Sequence, residues 1–150
     1  MRVVIQRVTE ASVSIDNKVK AKIEQGLLVL LGIEAEDNQD DINWLCKKIV
    51  NLRVFEEDSK AMNRSLADID GEILVVSQFT LHASTKKGNR PSFIKAAKPE
   101  IAEPLYHSFL NVLQQKHNLV PKVGVFGAMM KINLVNDGPV TIIMDSKSKY

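Results

Sequence analysis

An unbroken apolar run, Leu27 to Ile33, limits the possible folds of this chain more than any other stretch. A strand formed by these residues has no face that prefers water, so both of its faces must be covered. A second run, Ile73 to Val76, is short, apolar and rich in β-branched residues, which predicts another buried strand. The chain therefore folds around strands that lie inside the protein.

Polar groups follow the second run at once, in Ser77-Gln78-Phe79-Thr80-Leu81. Polar groups at the end of a core strand cost free energy unless they are paired, so these side chains bond either to neighbouring loops or to a ligand. From these five residues alone, bonding to neighbouring loops is the commoner case.

The remaining patterns predict further strands and two helices. Ile42, Leu45, Cys46, Ile49 and Leu52 recur at helical spacing, and a second helix spans Pro99 to His117, with its regular part beginning at Pro104. The further strands are Arg2–Thr9, Ala11–Ile15, Lys18–Ile23, Arg53–Phe55, Met129–Val135 and Val140–Met144. Residues 56–70 are predicted to be a loop, Asp16-Asn17 and Asn136 to Pro139 turns, and Asp145 to Tyr150 a loose tail. These elements predict one α+β domain over residues 1–150, built on a curved antiparallel or mixed sheet.

Composition excludes several classes of protein. The 150 residues fit one domain with a real core, and the single cysteine rules out an internal disulfide framework. Cys46 falls on the apolar side of the first helix, which predicts a buried thiol. No leader opens the chain and no apolar run reaches the ~18 residues of a membrane span, so a cytoplasmic location without membrane contact is expected.

Charge is unevenly distributed, although the net charge is only +2. The segment His82 to Lys98, called the basic loop below, carries Lys86, Lys87, Arg90, Lys95 and Lys98 and no acidic residue. Its position directly after Ser77–Leu81 favours contact with phosphate groups, as in nucleic-acid binding. A solvated loop is the alternative.

Familiar catalytic and cofactor motifs are absent from the sequence. There is no glycine-rich phosphate loop, and the three histidines and one cysteine have no zinc-binding spacing. Thr80 and His82 would share a strand face, so a hydroxyl nucleophile with a histidine base is conceivable. A solvent-facing His82 without a catalytic role is the favoured interpretation.

The order and detail of the motifs resemble those of the D-aminoacyl-tRNA deacylase family over essentially the whole chain. The similar segments are Ile5-Gln6-Arg7-Val8-Thr9 with Ala11-Ser12-Val13, Gly26 to Gly32, Met62-Asn63, Ser77 to Leu81, Lys87 to Phe93, Phe126-Gly127-Ala128 with Met130, and Asn136 to Thr141. Val123 departs from the pattern, which has a threonine there, and His82 is not part of it.

The resemblance implies an enzyme and its site. The family hydrolyses the ester between a D-amino acid and the terminal adenosine of tRNA, and it also removes glycine mischarged on tRNA. Its members have a barrel-like sheet, are homodimers and use no metal or cofactor. Their site lies between subunits, where Ser77, Gln78, Phe79, Thr80 and Leu81 of one chain would meet a cis Gly138-Pro139 bond of the other.

The implied mechanism relies on main-chain atoms. Carbonyl oxygens near Gly138-Pro139 would hold the substrate's ammonium group and exclude an L side chain. The backbone N–H of Thr80, aided by that of Phe79, would stabilise the oxyanion, with Ser77 and Gln78 bracing the loop and the ribose hydroxyl assisting. The Thr80 hydroxyl as nucleophile is the alternative.

Other residues would hold the tRNA. Phe126, Met129 and Met130 would line the adenine pocket, although a core role for the methionines is nearly as plausible. Lys86, Lys87 and Arg90 would contact phosphates. Arg7 would brace the Gln78 loop or lie on the surface. A noncatalytic RNA-binding module and a small protein-interaction domain remain the other classes of function.

Overall fold

A computed structural model describes residues 1–58 and 61–149. The strands are β1 (Arg2–Ile15), β2 (Lys18–Ile23), β3 (Gly26–Gly32), β4 (Phe55–Glu57), β5 (Ala61–Arg64), β6 (Glu72–Ser77), β7 (Lys122–Val123) and β8 (Lys131–Asp145). The helices are α1 (Gln39–Asn51) and α2 (Pro99–His117), and a 3₁₀ turn spans Phe79–His82. The predicted single α+β unit with two main helices is confirmed.

The main sheet is mixed and curls on itself. Its strand order is β2-β1-β3-β6-β7, with β8 pairing along the other edge of β1. The β1 pairs are antiparallel, whereas β3–β6 and β6–β7 are parallel. Because β2 also contacts β6 and β7, the sheet is almost closed into a barrel.

Both apolar runs of the sequence are covered on two sides, as predicted. Leu27, Val29 and Leu31 belong to a core between the sheet and the helices. Leu28 belongs to a second core inside the curl of the sheet. The β6 side chains divide in the same way: Ile73 and Val75 join the first core, and Leu74 and Val76 join the second. This alternation follows from the two-residue period of a strand.

The first helix begins where side chains can satisfy its free N–H groups. Asn38 caps it and forms a reciprocal capping box with Asp41. The predicted apolar stripe faces inward, and burial raises the pKa of the Cys46 thiol to about 12, in agreement with the prediction of a buried thiol. In the described residues, no helix is both long and apolar enough to cross a bilayer.

Three sequence predictions, about a loop, the start of a helix and a turn, were wrong. Part of the predicted loop 56–70 is the hairpin of β4 and β5, although Ser59 and Lys60 lie outside the described residues. The second helix is regular from Pro99, which occupies its first turn, so Pro104 lies inside it. The turn signal Asn136 to Pro139 does not reverse the chain, because β8 continues through it.

The predicted loose tail is anchored at its start. Asp145 and Ser146 are buried, and Ser146 accepts a hydrogen bond from the Met1 amino group at 3.0 Å. Burial alone would raise the pKa of Asp145. The Lys147 N–H and the Arg2 guanidinium outweigh it, so the pKa of this carboxyl lies below its ordinary value. The start of the tail was mispredicted because its partners, Met1 and Arg2, lie at the opposite end of the sequence, and Tyr150 lies outside the described residues.

Candidate active site

The polar segment after β6, residues 77–82, forms a compact structure that we call the polar turn. The N–H of Gln78 donates to Leu31 O at 2.7 Å, which extends the β3–β6 pairing by one residue. The chain then enters the 3₁₀ turn, where Leu81 N–H donates to Gln78 O and Ala83 N–H to Thr80 O. A Cβ added to Gly32 would lie only 2.9 Å from Leu81 Cβ, so the polar turn rests directly on a glycine.

The first two N–H groups of the 3₁₀ turn are those of Phe79 and Thr80. The Gln78 side chain accepts no hydrogen bond from them, and its Nε2 donates to Thr80 Oγ1 at 2.6 Å. Within the described part of the chain, neither N–H has an acceptor, as expected at the start of a helical turn. The Gln78 side chain therefore bonds within the turn, whereas the Ser77 hydroxyl makes no hydrogen bond to another described residue.

An apolar pocket of about 610 Å³ opens beside the polar turn. Its walls bring together six of the predicted site residues and the start of α2. The predicted residues are Ser77, Gln78, Phe79, Phe126, Met129 and Met130, and the others include Phe93, Ala96, Ala97, Pro99, Ala102, Gly127 and Ala128. None of the described lining residues is ionisable. Any chemistry in this pocket therefore depends on main-chain groups, hydroxyls or the substrate itself.

The predicted adenine-pocket residues differ in exposure. Met129 is 91% exposed, whereas Met130 is half-buried and packs against the second core. Phe126 packs against Tyr106, with 5.6 Å between ring centroids, and burial raises the pKa of Tyr106 to about 12. The tyrosine behind the pocket is thus neutral at physiological pH.

Sequence reasoning gave no role to Phe93, which lines the same pocket. Its ring meets that of Phe79 edge to face, at 5.1 Å between centroids. Phe93 lies within the Lys87–Phe93 motif, but its packing against the polar turn depends on the path of the basic loop.

In the basic loop Lys86, Lys87 and Arg90 are all exposed, and their predicted contact with phosphates stays a prediction.

Gly138 and Pro139 lie on a bulge of β8 rather than on the pocket wall. Gln6 pairs with Thr141 and Val8 with Asn136, so residues 137–140 stand opposite Arg7 alone. We call residues 137–140 the Gly-Pro bulge. The Gly138-Pro139 peptide bond is cis, as the family resemblance implies, and both residues are exposed. Thr80, Leu81 and Arg7, like the bulge, are not among the described pocket-lining residues.

Arg7 holds the Gly-Pro bulge and not the Gln78 loop, which corrects the sequence prediction. It is also not a surface arginine, since it is 6% exposed. Its Nε donates to Asp137 O at 3.0 Å and its Nη1 to Val54 O at 2.6 Å. The carboxylate of Asp137 lies 3.3 Å from the same Nε. The guanidinium thus ties the bulge to the helix side of the sheet.

Asn136 closes the bulge from the other side, and the sequence gave no sign of this role. Its amide nitrogen donates to Arg7 O at 3.0 Å and to Val140 O at 2.9 Å. Both carbonyls lie where the bulge interrupts the regular β1–β8 pairing. The amide therefore supplies donors that the partner strand cannot supply here.

His82 is buried, so the prediction of a solvent-facing residue was wrong. It is 3% exposed, and its Nδ1 lies 3.4 Å from the Glu34 carboxylate. In the described structure its Nε2 has no hydrogen-bond partner, and it does not line the pocket. Thr80 and His82 also do not share a strand face, because both belong to the 3₁₀ turn. Among the described residues, no cluster of three or more His, Cys, Asp or Glu side chains could hold a metal ion.

Comparison with known proteins agrees with the fold and identifies the family. A family model described as D-Tyr-tRNA(Tyr) deacylase matches residues 4–145. The D-aminoacyl-tRNA deacylases of Flavobacterium psychrophilum and Bacteroides thetaiotaomicron are 64% and 60% identical to this chain, over 99% of each protein. A solved structure of the c-Myc DNA unwinding element binding protein is 46% identical, with a TM-score of 0.91 over 97% of this chain and 98% of that one.

A more distant structure shares the fold. It is that of a probable eukaryotic D-amino acid tRNA deacylase, 17% identical, with a TM-score of 0.80 over 95% of this chain and 97% of that one. The curled sheet, the pocket beside the polar turn and these likenesses define a hydrolase of the deacylase class. The chain belongs to the D-Tyr-tRNA(Tyr) deacylase family.

We expect Asn136→Ala to destabilise the protein by about 1–3 kcal/mol, because two carbonyls lose their donors at an interrupted strand pair. Chemical denaturation would measure the free energy of unfolding. Asn133→Ala is the matched control, since Asn133 is an exposed residue of the same strand, and it should change that free energy by less than ~0.5 kcal/mol. Equal effects of the two substitutions would contradict the role of Asn136.

Proposed function

We propose that this chain hydrolyses the ester bond of D-aminoacyl-tRNA, releasing the free D-amino acid and tRNA, and that it removes glycine mischarged on tRNA in the same way. Membership of the deacylase family supports the reaction. The observation that carries the mechanism is the pocket of about 610 Å³ without an ionisable lining residue, beside two backbone N–H groups that have no acceptor in the described structure.

In the proposed reaction, water adds to the ester carbonyl and the negative charge that forms on its oxygen is stabilised by backbone donors. We assign this role to the Thr80 N–H, aided by that of Phe79. Removing one such donor costs about 3–4 kcal/mol of transition-state stabilisation in known enzymes. The bond to the ribose oxygen then breaks, and that oxygen takes up a proton. The neighbouring ribose hydroxyl assists by activating water, so the substrate supplies what the pocket lacks, and positioning contributes the rest.

Selection of the D form is assigned to the Gly-Pro bulge of a partner subunit. Its carbonyl oxygens accept hydrogen bonds from the substrate's ammonium group, with the α-hydrogen facing the bulge. An L side chain would collide with the main chain or the proline ring, whereas a D side chain would point to solvent. Glycine has no side chain that could collide with the bulge, so the site accepts glycine as well.

The proposed homodimer explains why the bulge is exposed. Gly138 and Pro139 do not line the described pocket of their own chain, so a second copy has to bring them to a substrate. Val135 and Ile143 flank the bulge on β8 and are 49% and 52% exposed. Both side chains would be buried if a second chain covered this part of β8.

The tRNA is assigned to two further surfaces. Phe126, Met129 and Met130 are proposed to contact the terminal adenine, and their common place on the pocket wall supports this. Lys86, Lys87 and Arg90 are proposed to contact acceptor-stem phosphates, which carry no sequence information. A cytoplasmic location follows from this substrate.

Two alternatives compete with this proposal. The Thr80 hydroxyl as nucleophile is disfavoured, because no histidine or carboxylate accompanies it in the described pocket and its oxygen already accepts from Gln78. A noncatalytic nucleic-acid-binding module is favoured by the basic loop and by the name of the solved c-Myc DNA unwinding element binding protein. It gives the Gly-Pro bulge no role, and a protein-interaction domain explains still less.

The function is tested by incubating the protein with D- and L-aminoacylated tRNA, each with and without chelator, and measuring the amino acid released. We expect release from the D form only, unchanged by the chelator. Binding of tRNA without release would support the nucleic-acid-binding module, and neither binding nor release would support a protein-interaction domain.

We expect Thr80→Ala and Thr80→Ser to keep kcat within about 10-fold of the wild-type value, because the backbone N–H is retained in both and general-base or nucleophilic side chains contribute 10²-fold or more. Thr85→Ala, an exposed change in the basic loop, is the control. Loss of turnover in a folded Thr80→Ala protein would instead support the hydroxyl mechanism.

Replacing Lys86, Lys87 and Arg90 together by alanine should weaken tRNA binding and lower the slope of log K against log salt by about 2–3, since three phosphate contacts are removed. The matched control replaces Lys18, Lys20 and Lys47, three exposed lysines to which no role is assigned. A slope unchanged in the first variant, or lowered equally in both, would contradict specific phosphate contacts by the basic loop.

A further inference from the structure

Arg2 lies beneath the polar turn, although neither the sequence motifs nor the proposed mechanism uses it. On the central strand β1, it pairs with Gly32 on one side and with Asp145 on the other. Residues directly paired across strands share a face of the sheet. Gly32 is the residue on which the polar turn rests, so the Arg2 side chain emerges next to this turn.

The guanidinium group of Arg2 joins the polar turn to the end of β8. Its Nη1 donates to Leu81 O at 2.8 Å, and its Nε and Nη2 each lie 2.9 Å from Asp145 Oδ2. The arginine side chain is 39% exposed, whereas that of Asp145 is 6% exposed. The other oxygen of the same carboxylate accepts the Lys147 N–H at 2.9 Å. The carboxylate is therefore fixed, and it fixes the planar guanidinium.

Leu81 is connected to the proposed oxyanion donors by the hydrogen bonds of the 3₁₀ turn. Leu81 N–H donates to Gln78 O and Ala83 N–H to Thr80 O, so the peptide groups from Gln78 to Ala83 move together. A donor that bonds to Leu81 O therefore sets the orientation of the whole turn, including the Phe79 and Thr80 N–H groups. A shift of ~1 Å in such groups can cost about 10²-fold in rate.

We propose that Arg2 is a positioning residue for the deacylase reaction: anchored by Asp145, it holds Leu81 O and thereby orients the Phe79 and Thr80 N–H groups. This inference rests on the proposed function for its effect on the rate, but the hold on the turn does not depend on any substrate. His82 supports the same turn through its burial against Gly32 and its approach to Glu34. The loss of Arg2 should therefore impair the turn without unfolding it.

Two variants separate positioning from general stability. Arg2→Ala removes the donor but leaves the buried Asp145 carboxylate without its partner, so the double variant Arg2→Ala/Asp145→Asn removes that charge as well. Arg53→Ala is the matched control, because Arg53 also donates from Nε to a backbone carbonyl, that of Asn63, at 2.9 Å, on the β4–β5 hairpin. Arg2→Lys keeps one charged donor and should restore part of the effect.

The first readout is amide hydrogen exchange, which needs no substrate. In both Arg2 variants the Leu81 and Ala83 amides should exchange at least ~10-fold faster than in the wild-type protein, while the amides of β3 keep their rates, because only the turn is loosened. Arg53→Ala should leave all of these amides unchanged. Unchanged Leu81 and Ala83 exchange in both Arg2 variants would overturn the inference.

The second readout is kinetic, with D-aminoacyl-tRNA as substrate. We expect kcat to fall about 10- to 100-fold in both Arg2 variants with KM within about twofold, and Arg2→Lys to recover part of kcat. A raised KM with unchanged kcat would overturn the positioning role and indicate tRNA contact instead. A wild-type protein that releases no amino acid would overturn the proposed function, and the exchange data would still decide whether Arg2 holds the turn.

Discussion

The parallel pairing of β3 with β6 determines where in the fold the candidate active site lies. Both strands are covered on two faces, so neither offers a polar surface except at its ends. The register sets Leu31 opposite Ser77, and the Gln78 N–H continues the pairing by bonding to Leu31 O. The chain then leaves the sheet over Gly32, where a Cβ would lie 2.9 Å from Leu81 Cβ and 3.1 Å from Gln78 O. The polar turn is thus fixed by backbone pairing and by the lack of a side chain beneath it.

This origin is in line with the proposal that the site acts through main-chain groups. The described walls of the pocket are mostly apolar and carry no ionisable side chain, so the backbone, hydroxyls and the substrate remain as the sources of chemistry. Apolar surroundings strengthen the interaction of a fixed N–H dipole with a developing negative charge, because little water screens it. An ester of a ribose hydroxyl suits such a site, since it needs orientation and charge stabilisation more than a strong nucleophile.

The sequence predicted what short-range pattern controls. The doubly covered strands, the Asp16-Asn17 hairpin and both helices follow from local periodicity and turn chemistry. The Gly-Pro bulge was mistaken for a turn because the same residues serve both, and only the pairing of Gln6 and Val8 with β8 distinguishes them. The motif residues around the pocket came from family resemblance. Arg2 and Asn136 were missed because their partners are distant in the sequence. Arg2 bonds to Leu81, which is 79 positions away, and Asn136 bonds to Arg7, which is 129 positions away.

Strand β1 supports both the polar turn and the Gly-Pro bulge, through two arginines that are five positions apart. An odd spacing places them on opposite faces of the strand. Arg2 lies on the face shared with Gly32 and bonds to Leu81 O, whereas Arg7 points to the helix side and bonds to Val54 O and Asp137 O. In the proposed homodimer, the polar turn of one chain and the Gly-Pro bulge of the other form each site. The two arginines of a single β1 then serve different sites. Arg2 holds the polar turn of one site, and Arg7 holds the Gly-Pro bulge that this chain contributes to the other site.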